Sequence, residues 1–304
     1  MLMERGKNMK RQRIFKSIAL LAAAALIGVM ATGCSGLPEK AEGAISNTAK
    51  ALEDVSLKAA DNWKDDAKVD GRYKELTAEE ETGSAVKLKV DHSVGNIDIK
   101  NISGTKITVK STIWASESVF KKNDMQKVFD QAEASISIKG DTISILTHAK
   151  GNSEKDLWNW SQREYGYSDF SIDYEIGLPS NVTVLDVSND VGQVSLANVS
   201  GEYRIQNDVG TIEIAGAHFM GNSSVKSSTG SIVLDAQQID KDAGLEAVAD
   251  IGSIEAKLAD KVSCILDIKT DVGSISGASK GESKRGDGGP RISLSTSVGS
   301  IDVI

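Results

Sequence analysis

Four aspartates recur two residues ahead of a glycine: Asp190, Asp208, Asp250 and Asp271, with Ser228 and Ser297 in the equivalent places. Stacked in a column, such carboxylates could hold Ca²⁺, which takes oxygen ligands. A local role is also open, because Asp and Ser side chains bond the backbone of tight turns. Exposed carboxylates ~5 Å apart repel by only about 0.8 kcal/mol in water, so the column needs no cation. The turn role is therefore expected, with no metal and no cofactor. A second cluster is aromatic: Trp158, Trp160, Tyr165, Tyr167, Phe170 and Tyr174 place six rings within 17 positions. Rings supply rigid contact area for a sugar or peptide, or they cover the open end of a repeat array. The cap is the expected use. Catalytic arrangements are harder to find. His92, His148 and His218 are far apart, and no H-E-x-x-H, G-x-S-x-G or phosphate-cradling glycine loop is present, so no catalytic residue is assigned.

The two cysteines have different surroundings. Cys264 lies in Val262-Ser263-Cys264-Ile265-Leu266-Asp267-Ile268, a strand-like run that predicts a buried, inert thiol. Cys34 follows Arg5, Lys7, Lys10, Arg11, Arg13 and Lys16, then an apolar run from Ile18 to Met30, then Ala31-Thr32-Gly33. A basic head, a short apolar centre and small residues make a signal-peptide layout, too short to span a bilayer comfortably. Its end resembles the lipobox of bacterial lipoproteins. That resemblance implies cleavage before Cys34, thioether lipidation of Cys34, and acylation with palmitate at the new amino terminus. Two or more acyl chains hold a protein stably on a membrane. The expected location is the exported side of the cell membrane or outer envelope.

Net charge is −8, and Glu4 alone offsets the six basic residues of the first 33, so the rest of the chain is more acidic still. A nucleic-acid binder would need a basic footprint, and none is expected. Aromatics are only 5%, so a core must be assembled from Val, Ile, Leu and Ala.

The elements that would position these residues repeat. Ser93-Val94-Gly95-Asn96-Ile97, Asp190-Val191-Gly192-Gln193-Val194 and Asp208-Val209-Gly210-Thr211-Ile212 match one another, and so do the segments around Gly230, Gly252, Gly273 and Gly299. From Gly192 onward the glycines are 18, 20, 22, 21 and 26 apart. Periods near twenty indicate stacked repeats. Within each, apolar residues alternate, as in Ile212 and Ile214 or Ile232 and Leu234, which is the period of a strand. Counting by twos places Asn207, Ala249, Thr270 and Thr296 inward, and stacks Ile254 on Ile275 in successive coils. The expected fold is all-β, a parallel β-helix (solenoid) with rungs of about 20 residues. With Ile304 following Gly299 so soon, Ile301 and Val303 are expected partly open at an edge. The loop Gly277–Pro290 would fold over it, or weak homo-oligomers would form there. That loop contains Arg285-Gly286-Asp287, similar to the integrin-recognition tripeptide and frequent by chance.

Ahead of Gly192 the pattern loosens. Ile45, Ala49, Leu52, Val55, Ala59 and Trp63 are spaced as one helix face, with a boundary at Glu79–Gly83. Val119, Phe120, Met125, Val128, Phe129 and Ala132 read as a second short helix, Ile136–Leu146 as a hairpin about Gly140-Asp141, and Phe170–Ile176 as a strand ending at Leu178-Pro179.

Residues 173–216, from Asp173-Tyr174-Glu175-Ile176-Gly177-Leu178-Pro179 through the rungs at Gly192 and Gly210, resemble the bacterial "putative adhesin" family, a β-strand-repeat domain of unknown function. The resemblance extends over about Ala85 to Ile304. It implies an envelope-associated β-helix, often on lipoproteins, and brings no catalytic residues. The domain organisation expected is a signal peptide at 1–33, anchor, tether and helical segment at 34–83, and the strand-repeat domain at 84–304. The expected function is a non-catalytic binding or structural module, held on the membrane through lipidated Cys34, with an envelope protein or glycan as partner. The alternative is a β-helix enzyme acting on a polysaccharide, which would need one dense acid–base cleft.

Overall fold

Each glycine corner joins two strands, and the strands of successive corners lie side by side. The computed structural model describes residues 64–116 and 125–304, and these are all-β with few helices. The strands that precede the corners form one parallel ladder. In spatial order they are β2 (Lys87–Val94), β9 (Val184–Val191), β11 (Ser200–Val209), β13 (Asn222–Thr229), β15 (Gly244–Ile251), β20 (Arg291–Val298) and β17 (Cys264–Val272). The strands that follow the corners form a second: β3 (Ile97–Ile102), β10 (Val194–Ala197), β12 (Ile212–Phe219), β14 (Ile232–Ile239), β16 (Ile254–Leu258), β21 (Ile301–Val303) and β18 (Ile275–Ser276). Side chains alternate in and out, and the inward Val, Ile, Leu and Ala make one continuous core.

One inward column is polar. In register it runs His92, Asn189, Asn207, Ser227, Ala249, Thr296 and Thr270. Asn207, Ala249, Thr270 and Thr296 are all buried, as the alternation predicts. The polar members meet a specific need. Asn189 Nδ2 donates to the Gly95 carbonyl (3.3 Å), Asn207 Nδ2 to Gly192 (2.8 Å), Thr296 Oγ1 to Gly252 (3.0 Å) and Thr270 Oγ1 to Gly299 (3.2 Å). A buried carbonyl left unpaired would cost about 1–3 kcal/mol. The column removes that cost at these four corners.

The order of the last two units differs from the sequence expectation. β20 and β21 insert between β15/β16 and β17/β18, so Ile301 lies between Ile254 and Ile275. Ile301 and Val303 are buried, not open at an edge. Ile275, at the outside, is half-buried. The period could not reveal this order. Thr270-Asp271-Val272-Gly273-Ser274-Ile275 and Thr296-Ser297-Val298-Gly299-Ser300-Ile301 differ at one position of six, so either segment fits either place. The Gly277–Pro290 segment supplies β19 (Gly281–Arg285), antiparallel on the outer side of β17.

At the other end, β4 (Lys106–Ala115) lies antiparallel between β1 (Tyr73–Glu81) and β8 (Phe170–Pro179), and β8 continues the ladder beside β3. The hairpin of β5 (Ala132–Lys139) and β6 (Thr142–Ala149) turns at Gly140-Asp141 as expected, and β6 lies parallel to the start of β2. Two short helices add to this end: α1 (Met125–Gln131), which buries Met125, Val128 and Phe129, and α2 (Leu157–Tyr165), which buries Leu157 and Trp158. Asp156 caps α2 by accepting from the Asn159 amide (2.7 Å), and Gly166 ends it in the left-handed conformation.

Residues 64–69 are helical, in keeping with the end of the helix expected over 44–69; its earlier part lies outside the described residues. Tyr73–Glu81, however, is a strand, although it falls in the 34–83 span expected as tether and helix. Its acidic run hides the strand pattern, and the reason for it lies on the neighbour. Glu75 meets Lys110 and Glu79 meets Lys106 across the β1–β4 pair.

Candidate functional site

Where β1, β4, β8 and β3 lie side by side, their outward residues line up in rows. The register places Thr77, Lys110, Glu175 and Asp98 in one row, and Glu79, Thr108, Gly177 and Lys100 in the next. Together they line a groove of about 560 Å³ on the outer face. Gly177 keeps its floor low. A Cβ there would lie 2.4 Å from Thr108 Oγ1 and 2.9 Å from Ile102 Cδ1.

Charges of both signs alternate along the groove. Lys110 Nζ lies 3.0 Å from Glu75 and 3.1 Å from Glu175, Lys100 lies 2.7 Å from Asp98, and Lys106 lies 2.9 Å from Glu79. Hydrogen bonds to these carboxylates, reinforced by their charge, push all three lysines above the usual amine range. Every pair is solvent-exposed, so each contributes little to stability and can exchange its partner for a ligand's charge. The arrangement suits recognition of a molecule bearing both signs.

The aromatic cluster is used differently. Trp158, Tyr167, Phe170 and Tyr174 are buried, Trp158 stacks on Phe170, and its Nε1 donates to the Phe170 carbonyl (2.9 Å). These rings close the end of the core, as the cap expectation holds, and Trp160 and Tyr165 pack against them half-buried.

Behind them His92 is sealed in. Its Nδ1 meets Asn189 Oδ1 at 2.9 Å, and its ring stands edge-on to Trp158 and Tyr174. Tyr174 donates to Thr147 Oγ1, and burial pushes its hydroxyl up to about 12. Burial holds His92 below the ordinary histidine value of 6.5, opposed more weakly by Asn189, Asp173, the Ile172 carbonyl and Asp91. The unfolded chain therefore takes up a proton near pH 6.5 that the folded chain refuses. Stability should fall by up to about 1.4 kcal/mol per pH unit as pH drops below 6.5, until folded His92 itself is protonated. In urea titrations from pH 7.5 to 5, His92→Asn, which copies Asn189 and Asn207, should flatten that slope. An unchanged slope would place the proton uptake on another group.

The acidic column is interrupted more often than its spacing suggests. Asp190 and Asp208 are neighbours, but Ser228 follows, and the inserted unit puts Ser297 between Asp250 and Asp271. Arg285 of the Arg-Gly-Asp tripeptide is tied down, donating to the Leu258 carbonyl (3.0 Å). Cys264 is buried, and burial pushes its thiol up. One pair has no counterpart among the sequence expectations: His218 Nε2 lies 2.7 Å from Asp240 Oδ1 and lowers that carboxyl. Their separation of 22 positions is one period, the signal that could have found them. Cys34 and the signal segment lie outside the described residues. No helix among the described residues is long and apolar enough to cross a membrane.

No family model matches the chain, and no curated protein matches its sequence. Solved structures similar to it include a "putative cell adhesion protein" from Clostridium sporogenes, 13% identical, with 76% of this chain and 98% of that one covered and a TM-score of 0.36. A "putative adhesin" from Bacteroides fragilis is 17% identical over 76% of this chain and 97% of that one, with a TM-score of 0.28. A "putative lipid binding protein" from Parabacteroides distasonis is 14% identical over the same shares, with a TM-score of 0.24.

Proposed function

We propose that this chain is an exported lipoprotein whose body, a parallel β-helix of corner units, is a non-catalytic, adhesin-like binding module of the cell envelope. The observation that carries the binding role is the outer-face groove, where exposed charges of both signs pair along and across the strands. Side chains held in this way are open to water and can be re-paired by a partner, an envelope protein or a glycan bearing charged groups. The β-helix reading rests on two parallel ladders joined at seven glycine corners.

The full-length lipidated protein should capture a partner from solubilised envelopes or their glycans. Lys100→Glu with Lys110→Glu should abolish capture while lowering the melting temperature only modestly, since exposed pairs contribute about 0–1 kcal/mol each and exposed like charges cost a similar amount. Undiminished capture by that variant would remove the groove from the function.

Anchoring is proposed through Cys34, with 1–33 as the signal peptide and 34–83 leading into the body. Wild type should incorporate a fatty-acid analogue and partition with detergent-extracted membrane proteins, and Cys34→Ala should do neither. A wild-type protein that stays unlabelled would end the lipoprotein reading.

A further inference from the structure

The inserted unit is hydrogen-bonded to a neighbouring unit on both sides and packs Ile292, Leu294, Ile301 and Val303 into the core. The Gly299 amide donates to Val272 and the Gly252 amide to Val298, while Ile254 donates to Ser300 and Ile301 to Ser274, all at 2.9 Å. Side chains repeat the pattern: Arg291 reaches Asp267 on one side (2.9 Å), and Ser300 meets Ser253 on the other (3.1 Å). The walls of the slot are β15/β16 and β17/β18, and the segment 277–290 joins β18 to the occupant. With β19 paired on β17, the hinge is 286–290, which contains Gly286, Gly288 and Gly289, all with positive φ, and five residues can span up to about 16–18 Å when extended. The slot recognises backbone register and the Thr-x-Val-Gly-Ser-Ile corner, and it has no means of telling its own chain from another.

We infer that Arg291–Val303 is an exchangeable element through which two copies of this chain associate, each placing its β20/β21 in the other's slot. A second copy makes the same bonds as the first, so exchange is nearly neutral in contact energy and is governed by concentration and by whether the slot is open. The inserted order provides that opening. β17/β18 can fold against β19 before the last unit arrives, leaving a slot that either copy can fill. This goes beyond the binding role proposed for the groove, at the opposite end of the ladders, and either can fail without the other.

The test uses paired cysteines in the full chain. Val248 and Ser295 face outward as register partners on β15 and β20, so Val248→Cys with Ser295→Cys can form a disulfide within one chain or between two that have exchanged. Ser188→Cys with Gln206→Cys does the same on β9 and β11, away from the slot. After refolding at rising concentration and oxidation, the slot pair should shift on non-reducing gels from monomer to a band of twice the mass, while the control pair stays monomeric. Slot-pair thiols consumed entirely within monomers at every concentration would overturn the inference. So would a dimer band of equal strength from the control pair.

Discussion

Gly230→Ala is expected to cost about 4 kcal/mol, a large share of the 5–15 kcal/mol that ordinarily separates folded from unfolded chains. Gly230 has φ +136°, a conformation that L residues rarely adopt, and a Cβ there would lie 2.2 Å from the Gly210 carbonyl oxygen and 2.7 Å from its carbon. Neither atom is free to move, because the same backbone carries the ladder: the Gly210 amide donates to Thr229 and the Gly230 amide to Ile251, both at 2.9 Å. Backbone strain of about 1–3 kcal/mol therefore adds to an overpacking cost of about 1–3 kcal/mol. The control is Gly140→Ala in the β5–β6 turn. Gly140 has φ +63°, and a Cβ there would meet nothing within 4 Å, so about 1–2 kcal/mol is expected. Urea midpoints of the two variants measure the difference. Equal losses would mean that the corners do not stack.

The second large effect separates two orders of the last units. Ile254 is buried between Ile232 and Ile301 in register, so Ile254→Asp would place an unpaired carboxylate in the core. A loss of about 4 kcal/mol or more is expected. Ile301→Asp should cost as much, since Ile301 has a neighbour on both sides. Ile275→Asp should cost about 1–2 kcal/mol, because that side chain is only partly buried and has a ladder neighbour on one side alone. The outward Glu255 and Ser276 should tolerate change within about 0.5 kcal/mol. If the units followed chain order, Ile275 would be the costly position and Ile301 the mild one. Thermal melts of the three variants decide between the two.

What the sequence reveals follows from period. A two-residue alternation fixes which side chains point inward, so the burial of Asn207, Ala249, Thr270 and Thr296 is readable without the structure. A twenty-residue repeat likewise fixes where the corners fall. Neither period specifies which unit lies beside which when two units have nearly the same sequence, and Thr270–Ile275 and Thr296–Ile301 do. The groove is hidden for a related reason. Thr77, Lys110 and Glu175 come together through antiparallel pairings of β1, β4 and β8, which have no period at all, and Asp98 joins them only because β8 lies beside β3. β1 reads as tether or helix because its glutamates serve lysines on another strand. Helix α2 is concealed inside the aromatic cluster, although Asp156 and Gly166 are ordinary cap residues at the right separation.

Binding without turnover at the outer-face groove can be measured directly. The full chain is incubated with polysaccharide isolated from the envelope, the bound fraction is separated, and ligand mass and newly formed chain ends are followed over time. Saturable retention of unaltered chains is predicted, lost in the Lys100→Glu, Lys110→Glu variant, with no new ends at any time. Ends that accumulate beyond one per protein molecule, and that disappear with the same substitutions, would make the groove an active site and contradict a purely binding role.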